Sequence, residues 1–128
     1  MKIAKIIARA FLGLVFVVFG LNAFLGFIPI PPMGEQASAF MGIIYTSGFL
    51  TVVKVLEIGG GALMLASIAL NRFAPLALSI LTPIVVNIFL FHLFLDPAGI
   101  AMPVILLGVC GFLVYAYKDN FAGVFAEH

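Results

Sequence analysis

The chain has 128 residues, of which 65% are hydrophobic and only 9% are charged, and its mean hydropathy is +1.33. Because so few charged residues cannot cover a water-soluble domain, the apolar excess must face lipid. The net charge of +1 argues against a nucleic-acid partner, and the single cysteine excludes an internal disulfide. The length allows one domain, residues 1–128.

Four apolar segments approach the roughly 20 residues that a membrane-spanning helix needs. The first covers residues 10–28. It is too long for the apolar part of a signal peptide, no small-residue cleavage site follows it, and we expect Pro29, Pro31 and Pro32 to end it. The other three cover about 48–70, 73–95 and 102–117. These segments predict an all-α fold, a transmembrane four-helix bundle.

Between the first two spans, residues 35–45 have the pattern of a short helix. Apolar residues recur on one face of it, at Ala37, Phe40, Met41 and Ile44. A short helix with one apolar face is typical of a segment that lies on the membrane surface. An ordered loop is the alternative.

The basic residues set the expected orientation. With four spans, five of the six fall on one side of the membrane: Lys2, Lys5, Arg9, Arg72 and Lys118. The opposite side carries acidic residues and no basic residue in its loops. By the positive-inside rule we expect a multi-pass protein with both termini in the cytoplasm.

Five polar residues interrupt the apolar spans: Asn22, Lys54, Glu57, Asn87 and His92. At 1.5 Å per residue, all five lie about 5 to 14 Å from the outer ends of their helices. Polar groups inside a membrane are costly, so each is a candidate for function, and together they form the predicted ligand-binding set. The inner half of the spans is predicted to hold almost no polar group.

Two interpretations of this set remain open. Lys54 and Glu57 are three residues apart, so they either neutralise each other or leave Glu57 to meet Asn87 or His92. The two asparagines, Asn22 and Asn87, suit hydrogen bonds between helices better than ligand contacts.

His92 lies four residues before Asp96, whose carboxylate is in reach of the imidazole. A metal site would need three or four ligands, and only Glu57, His92 and Asp96 are available, so we expect no metal.

Glycines within the spans predict close contacts between helix backbones. The clearest run is 59–61, and Gly13, Gly20, Gly108 and Gly111 extend the pattern. Cys110, in the fourth span, is expected to be a small buried hydrophobic residue.

Several of these residues resemble the DoxX family of small membrane proteins. The matching stretches are residues 18–24 (VFGLNAF), residues 57–60 (EIGG), Asn87-Ile88 followed by His92, and residues 115–118 (YAYK). The resemblance implies a four-helix bundle in the bacterial inner membrane, with recurrent polar positions at Asn22, Glu57, Asn87 and His92. Relatives are linked to quinone-dependent membrane redox complexes and to the assembly of partner membrane proteins.

The favoured function is therefore a non-catalytic accessory subunit of a membrane redox system. A quinone is the one cofactor we consider, with His92 donating to a carbonyl and Glu57 handling a proton. The first alternative is an assembly or scaffold factor, and the second is a small proton-coupled transporter working as an oligomer. Expected partners are the lipid bilayer and either another membrane protein or a second copy of this chain. We expect no catalytic activity of its own, since neither Ser67 nor Ser79 has a suggestive acid–base partner.

Overall fold

The computed structural model describes residues 2–29 and 32–122, and all regular secondary structure among them is helical. This confirms the predicted all-α class. The helices, in chain order, are α1 (Lys2–Leu25), α2 (Glu35–Thr46), α3 (Phe49–Ala66), α4 (Ala74–Leu95), α5 (Ala101–Ala116) and α6 (Lys118–Phe121). Short 3₁₀ turns, Asn71–Phe73 and Pro97–Gly99, precede α4 and α5.

Three helical segments are long and apolar enough to cross a membrane: Lys2–Leu25, Phe49–Ala66 and Asn71–Leu95. They identify the chain as a candidate membrane protein. The fourth apolar helix, α5, has only 16 residues. A fourth crossing and the orientation of the termini therefore remain predictions.

The first helix differs from its predicted span at both ends. It begins at Lys2 and stops at Leu25, because Gly26 adopts a positive φ of 64° and donates its N–H to the carbonyl oxygen of Asn22 at 2.8 Å. A glycine in this left-handed conformation is a common helix terminator. The helix thus ends before Pro29, and Pro31 lies outside the described residues.

The remaining helices follow the predictions more closely. Helix α3 starts after Gly48, whose φ is 85°, and ends at Ala66 rather than at residue 70. Helices α4 and α5 match the predicted spans to within one residue at each end. The short helix predicted for residues 35–45 is confirmed as α2.

Helix α2 packs on α3 and α4 through the face predicted to be apolar. Ala37 is fully buried, Met41 and Ile44 are half-buried, and the ring of Phe40 lies 5.4 Å from that of Phe91 in α4. The tertiary contacts thus explain why these twelve residues are helical, since so short a helix is not stable alone.

The four long helices contact one another in a closed order: α1 packs on α3, α3 on α4, α4 on α5, and α5 on α1. Their inner faces meet around large apolar side chains, among them Leu12, Phe16, Met64, Leu81 and Leu113. Cys110 is 1% exposed, which confirms it as a buried hydrophobic residue. Many large apolar side chains point outward instead, as suits a surface that meets lipid.

Glycines bring α1 and α3 together at backbone distance. A Cβ atom on Gly61 would lie 2.8 Å from the carbonyl oxygen of Gly13, and one on Gly13 would lie 2.9 Å from the carbonyl oxygen of Gly61. The predicted backbone contacts are confirmed here and also at Gly20, whereas a Cβ on Gly60 would meet only the side chains of Ile80 and Leu81. The prediction is wrong within this chain for three other glycines, where an added Cβ meets nothing within 4 Å: Gly59, Gly108 and Gly111.

Candidate functional site

The clearest polar feature of the spans is an ion pair within α3. Glu57 is only 2% exposed, and Lys54, one helical turn earlier, places its Nζ atom 3.4 Å from Oε1 and 3.3 Å from Oε2 of Glu57. A buried carboxylate needs such a partner, because removing a charge from water costs several kcal/mol. The Lys54 side chain itself remains 21% exposed, so protein does not enclose it completely.

An open groove of about 440 Å³ lies next to Lys54. Three helices line it: α1 with Ala23 and Phe24, α2 with Tyr45 and Thr46, and α3 with Leu50, Thr51 and Lys54. The groove therefore combines two aromatic rings, three hydroxyl groups and one cation. Such a mixture suits a small, partly apolar ligand that carries hydrogen-bond acceptors.

Asn22 is buried but does not reach the ion pair. Its Oδ1 accepts the backbone N–H of Ile28 at 2.7 Å, and its Nδ2 donates to the carbonyl oxygen of Ile28 at 3.1 Å. The side chain thus fastens the segment that leaves α1. The predicted hydrogen bond between helices is wrong for Asn22, because both of its bonds stay within this neighbouring segment.

Asn87 lies on the exposed side of α4. Its Nδ2 donates to the carbonyl oxygen of Pro83 at 3.0 Å, one turn earlier in the same helix. Here too the predicted hydrogen bond to another helix of this chain is wrong. Among the described residues, Asn87 makes no side-chain hydrogen bond to another helix.

His92 belongs to the end of α4. Its Nδ1 lies 2.9 Å from the carbonyl oxygen of Ile88, while its Nε2 is 3.9 Å from Oδ2 of Asp96. The aspartate is thus near the imidazole, as the spacing predicted, but beyond hydrogen-bond distance. Phe91 also contacts the ring edge-to-face at 5.0 Å.

The five predicted residues therefore do not form a single cluster. Lys54 and Glu57 are brought together, whereas Asn22, Asn87 and His92 each bond to backbone close in sequence. In residues 2–29 and 32–122, neither Asn87 nor His92 hydrogen-bonds Glu57. No hydrogen bond among the described residues therefore supports the interpretation in which Glu57 meets Asn87 or His92.

A polar network that the sequence did not predict joins the helices at their other end. Arg9 is 5% exposed, and its Nη1 donates to the carbonyl oxygen of Ser67 at 2.8 Å and to Oδ1 of Asn71 at 3.0 Å. The hydroxyl of Tyr117 donates to the same Asn71 oxygen at 2.6 Å. We call these four residues the basic-end network.

The basic-end network lies at the edge of the predicted spans and adds polar contacts between helices that were not predicted. The signal was present in the sequence, since Arg9 shares one helical face with Leu12, Gly13 and Phe16, all buried. A basic residue on the core face of a helix needs acceptors at its neighbours. Ser67, Asn71 and Tyr117 supply them.

No three His, Cys, Asp or Glu side chains come close enough to hold a metal ion in the part of the chain that the structure describes. Comparison of the chain with protein-family models, with curated proteins and with solved structures finds no match.

Proposed function

We propose that the chain is a DoxX-like membrane protein whose four long helices, α5 included, form a transmembrane bundle in the bacterial inner membrane. Both termini lie in the cytoplasm in this proposal. Its support is the distribution of charge: Lys2, Lys5, Arg9, Arg72 and Lys118 all belong to the end of the helices where α1 begins and α5 finishes. Helix α2 then lies at the outer face of the inner membrane.

Within this frame we propose a non-catalytic accessory subunit of a quinone-linked redox system. The observation that carries the proposal is the ion pair of Lys54 and Glu57 beside the groove. A quinone offers a flat apolar ring and two carbonyl acceptors. Phe24 and Tyr45 supply aromatic surface for the ring, and Lys54 supplies a charged donor for one carbonyl.

Glu57 has a supporting role in this site. It is buried behind Lys54, so it holds the ammonium group in position and balances its charge. The donor to the quinone is therefore Lys54, in place of the His92 donor expected from the sequence. His92 and Asn87 do not line the groove.

Quinone titration of the purified protein tests the site. Short-chain ubiquinone and menaquinone analogues are expected to bind saturably to the wild type, and Lys54→Gln weakens binding about tenfold by removing a charge-assisted hydrogen bond. Lys2→Gln removes one charge far from the groove, and His92→Ala removes the other donor considered, so both should bind as the wild type does. Absence of saturable binding to the wild type and to Glu57→Gln would refute the proposal.

Cysteine labelling tests the topology. In a Cys110→Ser background, Glu35→Cys should react with a membrane-impermeant maleimide added to intact cells wherever the reagent reaches the outer face of the inner membrane. Lys118→Cys should react only after the membrane is opened. Equal labelling of both positions in intact cells would contradict a four-span arrangement with cytoplasmic termini.

The exposed position of Asn87 favours a second candidate, an assembly or scaffold factor. An amide on the lipid-facing side of a helix lacks a partner for its oxygen, and a neighbouring membrane helix would supply one. Purification in mild detergent should then retain a stoichiometric partner or a second copy that Asn87→Leu releases. Ser79→Ala is the matched control, because Ser79 is also exposed on α4 and also bonds one turn back, to Pro75. Equal retention by both variants would exclude a role for Asn87 in the contact.

A further inference from the structure

We propose that the groove lined by Lys54 also binds monoanionic aromatic carboxylates, and that each carboxylate binds together with one proton, which Glu57 takes up. The inference rests on the groove of the proposed function but not on its ligand being a quinone. It adds a coupling between the charge of the ligand and the binding of a proton. A neutral quinone does not require such a coupling.

The ion pair of Lys54 and Glu57 is loose enough for a second anion to compete with it. The Nζ atom of Lys54 lies 3.3 and 3.4 Å from the two carboxylate oxygens of Glu57, whereas a tight hydrogen bond between an ammonium group and a carboxylate is about 2.7–2.9 Å long. Lys54 also lines the groove. Its flexible four-carbon stem allows the ammonium group to reach a carboxylate that lies there.

Glu57 depends on Lys54 alone for a positive partner. Among residues 2–29 and 32–122, Lys54 is the one basic side chain within 4 Å of the Glu57 carboxylate. The glutamate is also only 2% exposed, so water does not replace a lost partner. A competing anion at Lys54 therefore leaves a buried negative charge without compensation, which is costly inside a protein or a membrane.

One ammonium group cannot compensate two carboxylates. A ligand carboxylate bound to Lys54 would lie within about 6 Å of the carboxylate of Glu57. Two like charges at this separation disfavour each other, so one of the two carboxylates binds a proton. Glu57 is the buried one, whereas the ligand lies in an open groove, and burial favours the neutral form of an acid. The proton therefore goes to Glu57, and the site again holds one cation and one anion.

Other ionisable groups on the elements that contact α3 are not partners of Glu57. The guanidinium of Arg9 donates to the carbonyl oxygen of Ser67, which lies about 15 Å further along α3 than Glu57. The nearest carboxylate to the imidazole of His92 is that of Asp96. The remaining ionisable groups of α1, α2 and the turn before α4 are Lys2, Lys5, Glu35, Tyr45 and Arg72.

The walls of the groove indicate why the anion should carry an aromatic ring. Phe24 and Tyr45 line the groove and are both exposed, so they present aromatic surface to a flat ligand. The hydroxyl groups of Tyr45 and Thr51 can donate to a second oxygen of the ligand. Because one proton compensates one negative charge, we expect a monoanion to bind better than a dianion.

The test compares naphthoate with naphthamide, which has the same ring system and no charge. Each is titrated into the full chain in detergent by isothermal titration calorimetry, with micelles alone as the reference. Titrations at one pH in two buffers of different ionisation enthalpy count the protons taken up. For naphthoate we expect about one proton per ligand, and for naphthamide none. Since the naphthoate complex holds the extra proton, raising the pH should weaken its binding by up to about tenfold per unit.

The variants assign the proton to one side chain. Glu57→Gln should bind naphthoate without proton uptake and with an affinity that does not change with pH. Glu35→Gln removes an exposed carboxylate, and His92→Gln removes the imidazole of α4, so both should keep the uptake. Lys54→Gln should lower naphthoate affinity at least about tenfold. Far-UV circular dichroism confirms that each variant is folded, and the comparison of the two ligands in the wild type needs no variant.

Several outcomes would overturn the proposal. Naphthoate that fails to bind at any pH, or that binds without proton uptake, shows that the groove does not couple an anion to a proton. Equal uptake with naphthamide shows that the proton does not answer the charge of the ligand. Uptake that persists in Glu57→Gln assigns the proton to another group.

The same titrations separate this inference from the quinone proposal. If a short-chain quinone binds and naphthoate does not, the quinone site stands and the proton coupling is wrong. If naphthoate binds with one proton and no quinone binds, the coupling stands and the quinone is wrong.

Discussion

The contact between α1 and α3 makes a sharp prediction for Gly61→Ala. The new Cβ would lie 2.8 Å from the Gly13 carbonyl oxygen and 3.0 Å from the backbone nitrogen of Val17, so the clash is with backbone and no side-chain rotation relieves it. Restoring an ordinary contact of 3.4 Å requires the two helices to separate by about 0.6 Å. Such overpacking costs about 1–3 kcal/mol, and the higher helix propensity of alanine returns about 0.5–1 kcal/mol. We expect a net loss of about 1–2 kcal/mol in the free energy of unfolding.

Gly59→Ala is the matched control, because Gly59 lies in the same helix and an added Cβ meets nothing within 4 Å. It should leave stability unchanged or raise it by up to about 1 kcal/mol. Equilibrium unfolding of both variants in mixed detergent micelles, followed by far-UV circular dichroism, measures the difference. Equal shifts in the two variants would refute the inference that the α1–α3 contact is set by glycine.

Four further single substitutions and one double variant test the polar groups. Glu57→Gln leaves Lys54 without its carboxylate and should cost about 1–3 kcal/mol in the same unfolding assay; a Lys54→Met/Glu57→Met double variant as unstable as Glu57→Gln would argue against an unpaired charge as the cause. Asn22→Ala should speed hydrogen exchange in the segment that follows α1, whereas Asn87→Ala, at an exposed site, should change stability by less than about 0.5 kcal/mol. Unchanged hydrogen exchange in Asn22→Ala together with a clear loss of stability in Asn87→Ala would show that the roles assigned to the two asparagines are wrong. Tyr117→Phe removes one hydrogen bond of the basic-end network and should cost about 0.5–1.5 kcal/mol; no loss would mean that the network does not stabilise the fold.

Helix positions were predictable from the sequence because long apolar runs between turn residues have few other solutions. Their ends were less predictable. The three prolines after α1 were expected to end the helix, but Gly26 precedes them, and its left-handed conformation ends the helix first. Helix α3 also stops at Ala66, although the apolar run continues to Leu70.

The directions in which the polar side chains of the candidate site point could not be predicted from the sequence. Distance along a helix follows from residue number, so the sequence predicts similar depths for Asn22, Glu57 and Asn87, and this stays a prediction. Which way a side chain points depends on the face that the helix buries. Large apolar residues occur all around α4, so its pattern does not predict that Asn87 lies opposite the buried Leu81 and Val85. For Lys54 and Glu57 the three-residue spacing within one helix places the side chains within pairing reach, and the structure shows that they do pair.

The length of α5 has a consequence for the membrane around the protein. Its 16 residues span about 24 Å, whereas the hydrocarbon core of a typical bilayer is about 30 Å thick. If α5 crosses the bilayer, this hydrophobic mismatch must be met by local thinning on the side that α5 faces. The protein should then partition into the thinner regions of a membrane. Reconstitution into bilayers of graded chain length, with stability measured in each, would show an optimum below the usual thickness.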